Sequence, residues 1–269
     1  MNQLVWDVNL VLRHAQEELF QLDWKPGGYM YEERFYRKNM KTDELKSFNV
    51  TVGESDLQIS AESNLIEETK HLLIKYRNEI AAYIKKYPEF LTSLIPINPA
   101  AGAPEIVKDM CRAGSLADVG PMAAVAGAVS QYVGKSLLQY SKEIIIENGG
   151  DVFIKPKKNR CIAIYAGKSV FSNRIGINIP YDSGEYGVCT SSGTVGHSLS
   201  FGKADAAVIL SKDVILADAA ATATANVVKS KKDMEKGLNI AMSIPGVQGV
   251  VIIIEDKIGA YGAVDIVKL

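Results

Sequence analysis

The stretch VILADAAATATANVV, Val214 to Val228, limits the fold more than any other part of the chain. Alanine has the highest intrinsic helix propensity and adds no bulk. The segment therefore predicts a helix that its neighbours approach closely on several sides. Asp218, Thr222 and Asn226 interrupt it at intervals of four, and helical spacing stacks them on one face. Burying an unpaired polar group costs roughly 2–7 kcal/mol, and a charge costs more. Asp218 must then meet hydrogen-bond donors, lose its charge, or meet a cation. Two readings stand. In one, Asp218 satisfies free N–H groups near the start of the helix while Thr222 and Asn226 bond locally. In the other, the Asp218 carboxylate and the Thr222 hydroxyl are hard oxygen ligands for Mg²⁺. That ion takes one or two carboxylates and fills its remaining positions with water and substrate phosphates.

The order of elements around this helix sets the class. GGYMYEERFYRK and LKSFNVTVGESDLQIS read as strands on either side of a polar turn at MKTDE. SNLIEETKHLLIKYRNEIAAYIKKY follows as a long helix, acidic at its start and lysine-rich at its end, matching the helix dipole. The link PINPAAGAP leads to a second helical region containing GPMAAVAGAVSQYVGKSLLQY. EIIIENGGDVFI and RCIAIYAG then read as a hairpin about a turn at KPKKN. The second half repeats the order. RIGINIPYD, GEYGVCTSS and ADAAVILS are strand-like, the alanine helix and SKKDMEKGLNIAMSI are helices, and GVVIIIEDKIGAYGAV closes with a hairpin. This rhythm predicts ββααββ twice over, an internal duplication of the α+β class, with antiparallel strands and two helices on one face of each half. A doubly wound parallel fold would alternate single strands with helices. The expected boundaries are a helical arm at 1–28, a first half at 29–168 and a second half at 169–269, the two halves making one domain.

The arm is expected because MNQLVWDVNLVLRHAQEELF places Leu4, Val5, Val8, Val11, Leu12 and Leu19 on one side of a helix. Its polar face lacks the Lys and Arg of a membrane-surface helix, and apolar runs elsewhere are short or interrupted. A formal net charge of -1 over 269 residues gives no basic footprint for nucleic acid. Cys111, Cys161 and Cys189 are widely separated. They form neither a disulfide framework nor a CxxC metal site, which fits a reducing, cytoplasmic setting.

Three further segments carry candidate chemistry. In ENGGDVFI, Gly149 and Gly150 interrupt an apolar strand and mark a bulge or a close approach by a ligand. Asn148 and Asp151 flank them and are placed to hydrogen-bond a ring or ribose. GVCTSSGTVGHSLSFG is dense in small hydroxyl residues and glycine, with His197 inside it. It reads either as a polar turn or as a loop offering N–H groups to phosphate oxygens, with His197 a base or phosphate contact. Cys189 reads as a small core residue. In DVGPMAAVAGAVSQYVG, Pro121 suits a helix start and small residues leave room for an anion at the helix end, or simply pack. No GxGxxG opens a helix after a strand, and there is no Walker lysine loop or HExxH.

Taken in order, these segments resemble the ApbE superfamily of flavin-transferring proteins, and the chain looks like a divergent branch of it. LADAAATA, Leu216 to Ala223, is similar to the family's A-D-A-L-[AS]-T-A. NGGD, Asn148 to Asp151, is similar to its flavin-contacting glycine pair. CTSSG, Cys189 to Gly193, resembles its A-T-S-G segment, with His197 downstream as the family's His stands. VGPMAAVAGAV lies where the family has a K-G segment. The resemblance covers roughly Ile106 onward. It implies a duplicated T-fold-like arrangement, Mg²⁺ or another divalent cation on Asp218 and Thr222, and FAD or FMN held by Asn148, Gly149, Gly150 and Asp151. It further implies flavin contacts from Thr190, Ser191, Ser192, Gly193, Gly120 and Met122, with His197 and Thr190 as catalytic groups. Family members cleave FAD and transfer FMN to a threonine of an acceptor protein. Here the Lys is absent from GPMAAVAG and no Asp-Pro follows His197. Two functions stay open: a metal-dependent FMN transferase, or a non-catalytic T-fold-like module that binds a flavin, purine or pterin ring. A homodimer stays open for either.

Overall fold

The computed structural model describes residues 44–181, 184–194 and 201–269. The expected helical arm at 1–28, the strand-like GGYMYEERFYRK and the candidate base His197 lie outside the described residues. The first hairpin pairs β1 (Lys46–Val52) with β2 (Ser55–Ala61). LKSFNVTVGESDLQIS is thus two strands rather than one, because Gly53 takes a left-handed turn conformation between them. Then come α1 (Ile66–Lys86), the single turn α2 (Glu89–Thr92) and α3 (Glu105–Ala117). A 3₁₀ turn at Pro121–Ala124 leads into α4 (Val125–Leu137). The one helical region expected after the link is instead two helices, α3 and α4, separate because Asp118 closes α3 in a left-handed conformation.

The hairpin β3 (Ile144–Asn148) with β4 (Asp151–Lys155) follows, then β5 (Arg160–Ala163) and β6 (Ile175–Ile179). Strands β7 (Tyr186–Ser191) and β8 (Ala206–Ser211) precede α5 (Val214–Val227) and α6 (Met234–Ser243). The chain ends with the hairpin β9 (Val247–Ile254) and β10 (Lys257–Gly262), then β11 (Ile266–Lys268). One sheet runs β1-β2-β3-β4-β7-β8-β9-β10 and a second runs β11-β6-β5. Every pairing is antiparallel. The class is α+β, as the element order predicts.

Apolar runs such as Ile144–Ile146 do not alternate with polar residues because the large sheet is covered on both faces. Ile144, Ile146, Phe153, Cys189, Ile209 and Ile252 meet the helices. Ile145, Ile154, Val188, Val208, Val251 and Ile253 meet the small sheet through Ile177 and Ile179. Each such side chain removed from water is worth about 1.5–3 kcal/mol. A buried ion pair, Arg160 Nε to Glu143 Oε1 at 2.7 Å, ties the start of β5 to the approach of β3.

The expected hairpin about KPKKN is corrected. Its turn is Gly149–Gly150, with φ of 66° and 103°, which only glycine adopts readily in succession. Asn148 and Asp151 pair directly across it. KPKKN instead carries the chain from one sheet to the other. Among the described residues, no helix is long and apolar enough to cross a membrane.

Candidate functional site

Helix α5 is capped by Asp213, not Asp218. The Asp213 Oδ1 accepts from Ile215 N at 3.1 Å and Leu216 N at 3.3 Å. The Val214 N–H donates to Gln131 Oε1 at 2.7 Å. These bonds satisfy the free amides of the first turn. Asp218, one turn further in, is left to face a neighbour. Its Oδ2 accepts from Gly127 N of α4 at 2.8 Å. The approach requires glycine: a Cβ at 127 would stand 2.6 Å from Val214 O and 2.7 Å from Asp218 Cβ. Asp218 therefore sits at the positive end of the α4 dipole.

A second carboxyl reaches the same place from the sheet. Asp151 opens β4 on the helix-facing side, two residues before the helix-packed Phe153. It stands in register with Cys189 on β7, whose Sγ lies 3.5 Å from Val214 O of α5. The Cys189 thiol and the Thr190 backbone beside Asp151 favour its ionised form, yet its Oδ1 has no hydrogen-bond partner. Asp151 is 6% exposed and Asp218 8%. Asn148 Nδ2 donates to Ala126 O at 3.1 Å, joining the hairpin tip to the start of α4.

Electrostatics follow from the burial. Loss of water raises the Asp218 carboxyl from 3.8 to about 7, against the lowering effect of the Gly127 and Ala126 amides. Burial first, and then the charge of Asp218, pushes Asp151 well above the carboxylate range. Burial, with Asp151 and Asp218 beside it, likewise raises the Cys189 thiol. Cys189 stays a neutral, weakly nucleophilic thiol. That agrees with its reading as a small core residue.

The structure brings Asn148 and Asp218 to Ala126 and Gly127, with Asp151 within electrostatic reach of Asp218 and the Gly149–Gly150 turn at the tip of the same hairpin. Thr222 follows Asp218 by one turn and is half-buried. Asn226, another turn on, accepts from Phe201 N at 3.0 Å. Thr190 stands opposite Val208, on the face turned to the small sheet, so its backbone rather than its side chain meets Asp151. Ser191 is buried on the alternate side. Ser192 Oγ donates to Ala204 O at 3.4 Å and Gly193 N to the same oxygen at 2.9 Å. At Gly120 the close neighbour is the chain itself, since a Cβ there would fall 1.8 Å from Ser93 O. Met122 is half-buried against the helix-side core. Two surface clefts of about 600 Å³ lie elsewhere, one against Lys232 and Asn239 of the α6 region, one between α1 and the PINPAAGAP link. The residues that sequence reading missed are Ala126 and Gly127. The signal for them was the small-residue run AVAGAV, equally readable as packing.

These donors fit a hard divalent cation. Two carboxylates share one buried place, one of their oxygens is unpartnered, and a hydroxyl stands a turn away. Among the described residues no three His, Cys, Asp or Glu side chains form a metal cluster. Mg²⁺ needs only one or two carboxylates and leaves its other positions to water and substrate oxygens.

Comparison with known proteins agrees with this arrangement of segments. A family model described as AbpE bacteria matches residues 37–258. A UPF0280 protein from Methanococcus aeolicus is 41% identical over 221 residues, covering 80% of this chain and 89% of its own. One from Methanocaldococcus jannaschii is 38% identical over 221 residues, covering 80% and 90%. Among solved structures, the flavin transferase ApbE from Vibrio cholerae matches with a TM-score of 0.55 at 14% identity, over 81% of this chain and 97% of that one. At that identity the likeness is one of fold. With most of its length matched by the family and by these relatives, the chain belongs to the AbpE bacteria family, alongside the UPF0280 proteins.

Proposed function

We propose that this chain binds FAD, or a similar ring-plus-phosphate ligand, with a divalent cation, cleaves the pyrophosphate and passes FMN to a hydroxyl of an acceptor protein. The observation that carries this reading is that Asn148 and Asp218 both bond the first turn of α4, with the buried carboxyl of Asp151 close enough to feel the charge of Asp218. Buried carboxyls held well above the carboxylate range cluster at functional sites. The ApbE-like fold supports the same reading. So does the sheet order, in which the pairs β1-β2 and β3-β4 enclose α1 to α4, and the pairs β7-β8 and β9-β10 enclose α5 and α6, so that only the second group is ββααββ. We read that order as the internal duplication of a T-fold-like unit.

Asp218 and Thr222 would hold Mg²⁺, which supplies Lewis-acid stabilisation of the phosphate oxygens. Gly127 fixes the Asp218 carboxylate through its amide, and Asn148 fixes the start of α4. The turn Gly149–Gly150 presents backbone without side chains, where a flat ring can lie close. In this reading Thr190, Ser191, Ser192 and Gly193 contribute backbone donors to phosphate, and Gly120 and Met122 border the ligand. His197 takes the proton from the acceptor hydroxyl, or from water where no acceptor is present. As the new O–P bond forms, the pyrophosphate P–O bond breaks and AMP leaves.

A second reading keeps the ligand and omits transfer. It is favoured by the absence of Lys from GPMAAVAG and of Asp-Pro after His197. One assay separates the two: incubate the protein with FAD and Mg²⁺ and quantify AMP. Transferase chemistry predicts AMP release that Asp218→Asn lowers by about a hundredfold or more, because Lewis-acid stabilisation is worth several kcal/mol. FAD binding without AMP establishes the binding module. Equal turnover in Asp218→Asn refutes the metal assignment.

A further inference from the structure

The Asp218 carboxylate already has a local counterpart in the Gly127 amide at the end of α4. Asp151 has less. Its Oδ1 is buried and unpartnered in a residue that is 6% exposed. Its neighbours, Cys189 and the Thr190 backbone, leave that oxygen unused, and among the described residues no Lys or Arg acts on either carboxyl. A helix end contributes about half a positive charge, too little for two carboxylates. An unsatisfied buried carboxyl oxygen is costly, and the Asp151 carboxyl is close enough to Asp218 to feel its charge.

We infer that Asp151 is a second carboxylate ligand of the divalent cation, which is held between strand β4 and helix α5 by Asp151 and Asp218 together. This rests on the metal dependence proposed above and adds a residue from the opposite wall of the site. It explains why the Asn-Gly-Gly-Asp turn matters beyond its glycines. The hairpin tip fixes Asp151 through its pairing with Asn148, which is itself anchored to Ala126. The chemistry selects a hard cation of the Mg²⁺ or Mn²⁺ type, since the oxygens are anionic and Cys189 remains a thiol.

The test is a calorimetric titration of the full chain with Mn²⁺ alone, on wild type, Asp218→Asn and Asp151→Asn, with thermal melts to verify folding. Where Asp151→Asn does not fold, Asp151→Ser takes its place. The inference predicts that wild type binds Mn²⁺ and that loss of Asp151 weakens binding by about tenfold or more, since affinity follows ligand charge count. If Asp218→Asn weakens binding while Asp151→Asn binds like wild type, Asp151 is no ligand and the parent reading stands. If wild type does not bind Mn²⁺, both fall.

Discussion

Asp218 exchanges its hydration for a backbone amide at 2.8 Å and a helix end, and both favour the ionised form. Burial wins nevertheless and raises the group to about 7. Asp151, buried beside it, moves the same way. A carboxyl that holds its proton more tightly when folded takes up a proton on folding. The destabilising effect of this pair is therefore absent below the unfolded value near 3.8 and grows as pH rises toward 7. The metal-free protein, kept in EDTA, should melt several degrees higher at pH 5 than at pH 8. Asp151→Asn or Asp218→Asn should flatten that slope. Glu62 and Asp233, which backbone and side-chain partners hold below the carboxylate range, titrate on the acid side of this window. Scanning calorimetry across pH checks the sign, and a melting temperature that climbs with pH over this range contradicts the burial of the pair.

Helix α5 divides its labour between two aspartates five residues apart. Asp213 caps it and also accepts from Arg112 Nη2 at 2.8 Å. Asp213→Ala should then cost about 1 kcal/mol or somewhat more, a fall of roughly 2–4 °C in melting temperature for a domain of this size. Mn²⁺ affinity should stay within about twofold, because the cap lies a turn from Asp218; a tenfold loss would mean that the cap and the site are not separate. Sequence alone makes α5 legible, with Asp218 buried on it, because alanine leaves few other ways to pack. It also makes α1 legible from its apolar period and its charged ends. The β3–β4 turn was not legible as a turn. Ile144–Ile146 is buried on both faces, so no alternation showed where one strand stopped and the next began. Asp218's true partner was hidden for a related reason, since an amide donor such as Gly127 N leaves no mark in the side-chain pattern.

At the scale of the whole molecule, the candidate site lies where β4 meets β7, the seam between the strands of the first and second parts of the large sheet. That pairing sets Asp151 beside Cys189, although the two are far apart in sequence, and α5 and α4 pack over it. Element order predicted the antiparallel α+β class but not this adjacency, nor the separation of β5, β6 and β11 into a second sheet. Strand pairing over such distances depends on which faces the helices leave to be covered, and short apolar segments do not encode that individually. The seam is also where a ligand would be gripped by both parts of the sheet at once. Crystals soaked with Mn²⁺ and FAD test this most directly. Anomalous difference density should show Mn²⁺ against the Asp218 carboxylate, with flavin density beside the Gly149–Gly150 turn. Saturating Mn²⁺ with no peak at Asp218 would contradict the account.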